Sequence, residues 1–91
     1  MAYFVVAEGL GFLAEPAVEG PFDDDCAARQ KAREKQRTSY HLFAQFMQTS
    51  FHKTIEDEME LEQTYHQLHT TPDPSIPQPV VYRVLNEEDL I

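Results

Sequence analysis

The sequence predicts one α+β domain, because short β-rich segments stand near both ends of the chain and a long helical pattern fills its middle. Its 91 residues suit a single domain with one modest core. A hydrophobic fraction of 42%, with six phenylalanines and four tyrosines, supplies that core and argues against disorder. We expect residues 1–91 to form a small sheet of two or three strands, made by the N- and C-terminal segments and packed with a short helix and a long amphipathic helix.

β-branched and aromatic residues mark the predicted strands. Residues 3–7 read Tyr-Phe-Val-Val-Ala and are typical of a strand. A glycine-flanked turn at 9–11 predicts a hairpin into a second apolar run at 12–14, which Pro16 limits to an edge strand or an extended loop. Residues 80–85 predict a C-terminal strand, which we expect to pair with the N-terminal one.

The middle of the chain predicts two helices. Three aspartates at 23–25 favour a helix start, because carboxylates suit the positive end of a helix, and this short helix extends to about Gln36. Residues 38–39 read as a cap for a second helix, although one continuous kinked helix also fits. Between residues 40 and 69 apolar side chains recur about every 3.5 residues, as in a helix that packs lengthwise against another. Four prolines within 72–79 end that helix and predict an extended linker.

The predicted long helix is longer than its own domain. About 30 helical residues span roughly 45 Å, whereas a compact domain of this size has a diameter of roughly 32 Å. Because the apolar stripe continues past that length, we expect a second copy of the chain to cover it in a symmetric homodimer. The alternative is a break near Ser50 that folds the helix back on itself. The expected dimer interface comprises Phe51, Ile55, Met59, Tyr65 and Leu68.

Charge along the chain is sorted into three blocks. Residues 1–28 hold six acids and no base, 29–53 hold six bases and one acid, and 54–91 hold nine acids and one base. The net charge is −9. Carboxylates four apart on a helix repel one another, so we expect the fold itself to gain nothing from the densest acidic cluster. That cluster comprises Glu56, Asp57, Glu58, Glu60 and Glu62.

The acidic cluster predicts a binding surface for a basic protein. Nucleic acid and anionic lipid are disfavoured as direct partners, because both would be repelled. On a helix the five carboxylates present one charge per about 2 Å of axis, close to the roughly 1.7 Å of duplex DNA. We therefore expect this helix to imitate DNA for a protein that grips DNA. The alternative is a solvated face that pairs with the basic helix or only solubilises the chain. Supporting acids would be Asp23, Asp24, Asp25, Glu87, Glu88 and Asp89.

Other chemistry-bearing residues predict no active site. Glu62, His66 and His69 share a helical face, but three ligands from one helix rarely converge, so we expect no metal and no other cofactor. Cys26 follows three aspartates that oppose thiolate formation, and we expect it to be a small packing residue. The basic run at 29–37 lacks interleaved aromatics, so we expect it to complement acids rather than nucleic acid. No phosphate-binding loop or nucleophile elbow occurs, and we expect no enzyme.

The N-terminus lacks the basic segment of a signal peptide, and no apolar run has the length of a membrane helix. A single cysteine cannot form an internal disulfide, which fits a reducing compartment. These features predict a cytoplasmic location.

The small size, the acidic cluster at 56–62 and the acidic tail at 87–89 together resemble a class of phage proteins. These are the small acidic proteins by which bacteriophages inhibit host enzymes or defences, including DNA-mimic inhibitors of restriction, CRISPR effectors and topoisomerases. The resemblance implies a non-enzymatic inhibitor or adaptor acting in the host cytoplasm. The basic run at 29–37 departs from that class, which spreads acids over most of its surface. Two other hypotheses are an assembly module that oligomerises through the long helix and a small metal-dependent protein.

Overall fold

The computed structural model describes residues 1–89 as a three-stranded antiparallel sheet with two helices. The α+β class and the pairing of the N- and C-terminal strands are therefore confirmed. Within residues 1–89 no helix has both the length and the apolarity needed to cross a bilayer. In chain order the elements are β1 (Tyr3–Glu8), β2 (Val18–Phe22), α1 (Asp25–Phe51), α2 (Glu58–Thr70) and β3 (Val81–Asn86).

Strand β1 lies in the centre of the sheet, in the order β2-β1-β3. Tyr3, the first residue of β1, stands opposite Phe22 of β2 and Asn86 of β3, which are the last residues of their strands. The chain therefore leaves β2 toward α1, and leaves β3 toward the C-terminal turn, at the same end of the sheet.

Of the two alternatives for residues 12–14, the structure adopts the loop and not the edge strand, and β2 lies further along the chain. Residues 9–17 form a loop in which Phe12 has a positive φ of 63° and turns its ring into the core. Strand β2 includes Gly20, whose φ is 138° and where a Cβ would lie 2.9 Å from the ring of Phe4. An edge strand tolerates Gly20 and Pro21, although in the sequence these residues look like a turn.

The structure also reverses the predicted order of the two helices, because the long helix comes first and the short helix second. Helix α1 has 27 residues and continues through Ser39, whereas α2 has 13. Residues 38–39 do not cap a new helix, because the Thr38 hydroxyl donates to the Glu34 carbonyl of the preceding turn over 3.1 Å. Helix α1 ends where His52 adopts a left-handed conformation and the Lys53 N–H donates to the Met47 carbonyl over 3.1 Å.

The extended segment 52–57 leads the chain back along α1. The Asp57 carboxylate then caps α2 by accepting the Met59 N–H over 2.9 Å. Glu58, the first residue of α2, lies 3.9 Å from Arg37. Arg37 lies about 21 Å before the end of α1 along the helix axis, so α2 begins beside α1 and not beyond its end. The alternative of a break near Ser50 is therefore the one that the structure adopts. The continuous helix over 40–69 does not form, and the apolar stripe is divided between α1 and α2 instead of running past the end of one helix.

Two apolar clusters make up the core. One lies between the sheet and α1 and is built on Val5, Ala28, Val80 and Tyr82. The other lies between the helices and is built on Phe43, Met47, Leu61 and Tyr65, with the ring of Phe12 edge-on to Phe43 at 5.4 Å. The Tyr65 hydroxyl donates to the Val80 carbonyl over 2.6 Å and so joins the two clusters.

A buried lysine fastens the loop 9–17 to α1. The side chain of Lys35 is almost fully buried, and its ammonium donates to the carbonyls of Ala14 and Pro16 over 3.1 and 2.7 Å. It also lies 3.1 Å from the Glu19 carboxylate on β2. From the other side, the Tyr82 hydroxyl donates to the Ala14 carbonyl over 3.0 Å and accepts the Ala14 N–H over 2.6 Å.

The environment of Glu19 favours its charged form. Partial burial raises the pKa of this carboxyl, but hydrogen bonds and charge interactions with Lys35 and Lys31 outweigh that effect. Its pKa therefore lies below the ordinary value of 4.5, and Lys35 keeps a charged partner at neutral pH.

Replacing the buried lysine should destabilise the protein strongly. In Lys35→Met, two loop carbonyls and Glu19 lose their donor, so we expect the free energy of unfolding to fall by about 2–4 kcal/mol. The control is Lys31→Met, which removes a more exposed ammonium 3.6 Å from the same carboxylate and should cost less than about 1 kcal/mol. Urea unfolding of both variants tests this expectation, and equal losses would contradict it.

The buried phenol of Tyr65 should make stability fall at alkaline pH. Burial raises the pKa of Tyr65 to about 12, from an ordinary value of 10.0. The stability that this group contributes is fully present below pH 10.0 and is lost as the pH rises toward about 12. In a tyrosinate absorbance titration, Tyr65→Phe should remove a late component that titrates at about pH 12. If the late component persisted in Tyr65→Phe, the assignment would be wrong.

Candidate functional site

Ion pairs within the chain occupy most of its cations. Within residues 1–89, Arg33 and Lys53 are the two basic side chains with no carboxylate inside 4.0 Å. Four of the six pairs join segments distant in sequence and the other two join neighbouring turns of α1, so most of the basic block pairs with the chain's own acids. The pairs are Arg29 with Asp25 (2.8 Å), Lys31 with Glu19 (3.6 Å) and Glu34 (3.8 Å), Lys35 with Glu19 (3.1 Å), Arg37 with Glu58 (3.9 Å) and Arg83 with Glu8 (2.8 Å).

Six acids gather at one end of the sheet and form what we call the sheet-end cluster. One triplet follows Phe22 and the other follows Asn86, and both of these residues stand opposite Tyr3. The two triplets therefore begin about 10 Å apart, which is two strand spacings. The structure thus brings together two groups that lie far apart in sequence. The cluster comprises Asp23, Asp24, Asp25, Glu87, Glu88 and Asp89.

Local hydrogen bonds shape the sheet-end cluster. The Asp24 carboxylate caps α1 by accepting the Ala27 N–H over 2.7 Å. The Asp89 carboxylate accepts the Asn86 N–H over 3.2 Å, and the Asn86 side chain accepts the Asp89 N–H over 3.0 Å, which closes a tight turn after β3. The Glu87 N–H donates to the Ala2 carbonyl over 2.9 Å. The carboxylates of this cluster are therefore held on ordered backbone at one end of the sheet.

The second acidic group, which we call the α2 cluster, does not lie along one helix as predicted. Glu56 belongs to the extended segment, and the Asp57 carboxylate is turned toward the backbone as a helix cap. Glu58 and Glu60 occupy the first turn of α2, where the helix dipole stabilises negative charge, and Glu62 follows in the next turn. The expectation that the fold gains nothing from these acids is therefore wrong. The prediction that the five carboxylates are evenly spaced along one helix axis is also wrong.

A groove of about 460 Å³ separates α1 from the α2 cluster and carries charge of both signs. The Tyr40 hydroxyl lies in hydrogen-bond contact with Nε2 of His66 at 2.9 Å. Burial raises the pKa of Tyr40, and the charge of Glu62 raises it further. About 18 Å of α1 separates Asp25 from Arg37, so the two acidic clusters are distinct patches. The groove is lined by Gln30, Arg33, Glu34, Gln36, Arg37, Tyr40, Glu58 and Glu62.

The remaining candidate residues, within residues 1–89, do not form a metal site. Among residues 1–89 there is no group of three His, Cys, Asp or Glu side chains placed to hold a metal. His66 instead contacts the Tyr40 hydroxyl. The spacing of His66 from Glu62 and His69 in the sequence did not predict this contact. Cys26 is exposed in the first turn of α1, so the prediction that it packs in the interior is wrong.

The predicted dimer residues do not form one outer surface. Tyr65 is fully buried in its own chain, so the prediction that it contacts a second copy is wrong. Ile55 and Leu68 are half-buried against the cluster between the helices. Phe51 and Met59 are exposed by 44% and 68%. The fold-back of the chain covers most of the stripe that a second copy was expected to cover.

Comparison with protein-family models, with curated proteins and with solved structures finds no match for this chain. The resemblance to acidic phage inhibitors stays a prediction.

Proposed function

We propose that this protein is a non-enzymatic inhibitor or adaptor that docks on a basic surface of another protein through its acidic clusters. The observation that carries this proposal is that most basic side chains of the protein form ion pairs with its own acids. Of sixteen acids, five are engaged in ion pairs, which leaves eleven carboxylates against two unpaired cations within residues 1–89. The outward charge is therefore more uniformly negative than the sequence alone indicates.

The sheet-end cluster is the stronger of the two docking patches. Its two triplets follow strands that end on the same side of the sheet, and Arg29 is the cation paired within it. The α2 cluster lies beside Arg33 and Arg37, which weaken its field. Carboxylates can satisfy the lysine and arginine side chains that a DNA-binding protein uses for phosphates, because both anions accept charge-assisted hydrogen bonds. Docking would then occlude the DNA-binding site.

The basic run at 29–37 does not oppose this proposal. Arg29, Lys31, Lys35 and Arg37 all lie in internal ion pairs. Four of the five cations in the run that departs from the pattern of acidic phage inhibitors are therefore paired within the chain, and Arg33 is the exception. We extend the proposal to a cytoplasmic host partner that grips DNA, on the basis of the same charge argument.

Charge reversal at the sheet end should weaken binding to the basic partner. We expect Glu87→Lys/Glu88→Lys to lower affinity at least about tenfold, because both side chains are exposed and face the proposed partner. The matched control is Glu15→Lys/Asp73→Lys, which makes the same change in net charge outside both clusters. The partner is captured from bacterial lysate at low salt, purified, and tested for binding and for displacement by duplex DNA.

Binding should also weaken as salt rises, because exposed charges are screened over about 8–10 Å at physiological ionic strength. Equal affinity of the two double variants would contradict the assignment of the sheet-end cluster. Failure of duplex DNA to compete would contradict occlusion of a DNA-binding site.

A second candidate function is assembly of copies of this chain. The observation in its favour is a groove of about 420 Å³ between the loop 9–17 and the second half of α1, whose lining includes no charged residue and none of the predicted dimer residues.

A further inference from the structure

Opposite charges line the two walls of the groove between α1 and the α2 cluster, which we call the mixed-charge groove. Arg33 and Arg37 lie one helical turn apart on α1, and Glu58 and Glu62 lie one turn apart on α2. Residues four apart on a helix share a face, so each pair presents its two charges side by side. The groove therefore has a cationic wall on α1 and an anionic wall on α2.

The charges of the two walls do not neutralise one another. Within residues 1–89, Arg33 and Glu62 have no oppositely charged side chain inside 4.0 Å. Arg37 and Glu58 lie 3.9 Å apart, which is about 1 Å longer than a charge-assisted hydrogen bond. Glu34, the remaining acid of the lining, pairs with a lysine of its own helix at 3.8 Å. Both walls therefore keep charge that a ligand can use.

The two half-buried side chains of the lining are held by contacts with neighbouring elements. The Gln36 side chain donates to the Val80 carbonyl over 3.3 Å and accepts the Tyr82 N–H over 3.4 Å. The Tyr40 hydroxyl lies 2.9 Å from Nε2 of His66 on α2. The four charged side chains of the walls are exposed. They can therefore turn toward a ligand without disturbing these contacts.

We propose that the mixed-charge groove binds a small zwitterion, which is a molecule of amino-acid or dipeptide size that carries one carboxylate and one ammonium group. The guanidinium groups of Arg33 and Arg37 donate to the carboxylate, and Glu58 and Glu62 accept from the ammonium. The groove volume of about 460 Å³ lies within the range of small-molecule sites. This site is separate from the sheet-end cluster, so the inference goes beyond the proposed docking and does not depend on it.

Charge selects a zwitterion over a simple ion. A simple anion is opposed by the net charge of −9 and by the anionic wall. A simple cation leaves the two arginines without a partner, and the sheet-end cluster offers it six carboxylates instead. A zwitterion has no net charge for the chain to repel, and each of its ends meets a wall of opposite sign. The two walls therefore specify both charged groups of the ligand.

The test is a titration of the isotope-labelled full chain with ω-amino acids of increasing length, from glycine to aminocaproate, followed by amide chemical shifts. We expect saturable shifts at Arg33 and Glu62, with a dissociation constant of about 1–10 mM for the member of the series that fits best. Butyrate and butylammonium each carry one of the two charges and should bind at least about tenfold more weakly. Equal binding of either ion, or no saturable shift with any ω-amino acid up to about 50 mM, would overturn the inference.

Two substitutions that remove one charge each test the walls separately. Arg33→Gln and Glu62→Gln should each weaken binding at least about tenfold, because one charged end of the ligand loses its partner. The matched controls are Lys53→Gln and Glu56→Gln, which remove an unpaired cation and an unpaired acid outside the groove. Thermal unfolding checks that all four variants keep the stability of the parent. Parent affinity in the groove variants, or an equal loss in the controls, would contradict the proposal.

The variants used for the docking experiment separate the two proposals. Glu87→Lys/Glu88→Lys alters the sheet-end cluster and leaves the lining of the mixed-charge groove intact, so it should bind the zwitterion with the affinity of the parent. Conversely, Arg33→Gln leaves the sheet-end cluster intact and should keep the affinity for the basic partner. Loss of zwitterion binding in the Glu87→Lys/Glu88→Lys variant would contradict the assignment of the ligand to this groove.

Discussion

The arrangement of this small domain depends on the burial of one ammonium group. Lys35 holds the carbonyls of Ala14 and Pro16 and the carboxylate of Glu19, so a single side chain ties the loop 9–17 and β2 to α1. Burial of a charge is costly unless its partners are complete, and these partners come from the loop 9–17 and from β2, both outside α1. The position of the loop in turn sets Phe12 into the cluster between the helices. The two halves of the core are therefore coupled through a polar contact.

Strands β1 and β3 could be predicted from their β-branched and aromatic residues, to within one residue at each end. Strand β2 could not, because Gly20 and Pro21 are typical of turns and their fit at a sheet edge depends on Phe4 of the neighbouring strand. The helix break at 52–57 could be predicted only as an alternative, from the length of the helix and not from a local signal. The apolar spacing continues across it, and no proline or glycine marks His52, which adopts the left-handed conformation that ends α1.

The acids of the candidate site were visible in the sequence, but their grouping was not. The meeting of two triplets at one sheet end follows from the register of Tyr3 with Phe22 and Asn86, which is a long-range property. Which cations are neutralised depends likewise on contacts across the fold, such as that of Arg83 with Glu8.

The register of the central strand also determines when the sheet can form. Strand β1 is made from the first residues of the chain, whereas its partner β3 begins at Val81. During synthesis α1 and α2 are complete before β3 exists, and until then β1 has a partner on one side only. Pairing of such distant segments requires closing a long loop, which slows folding relative to the local formation of the helices. We therefore expect the helices to form first and the pairing of β1 with β3 to complete the sheet last.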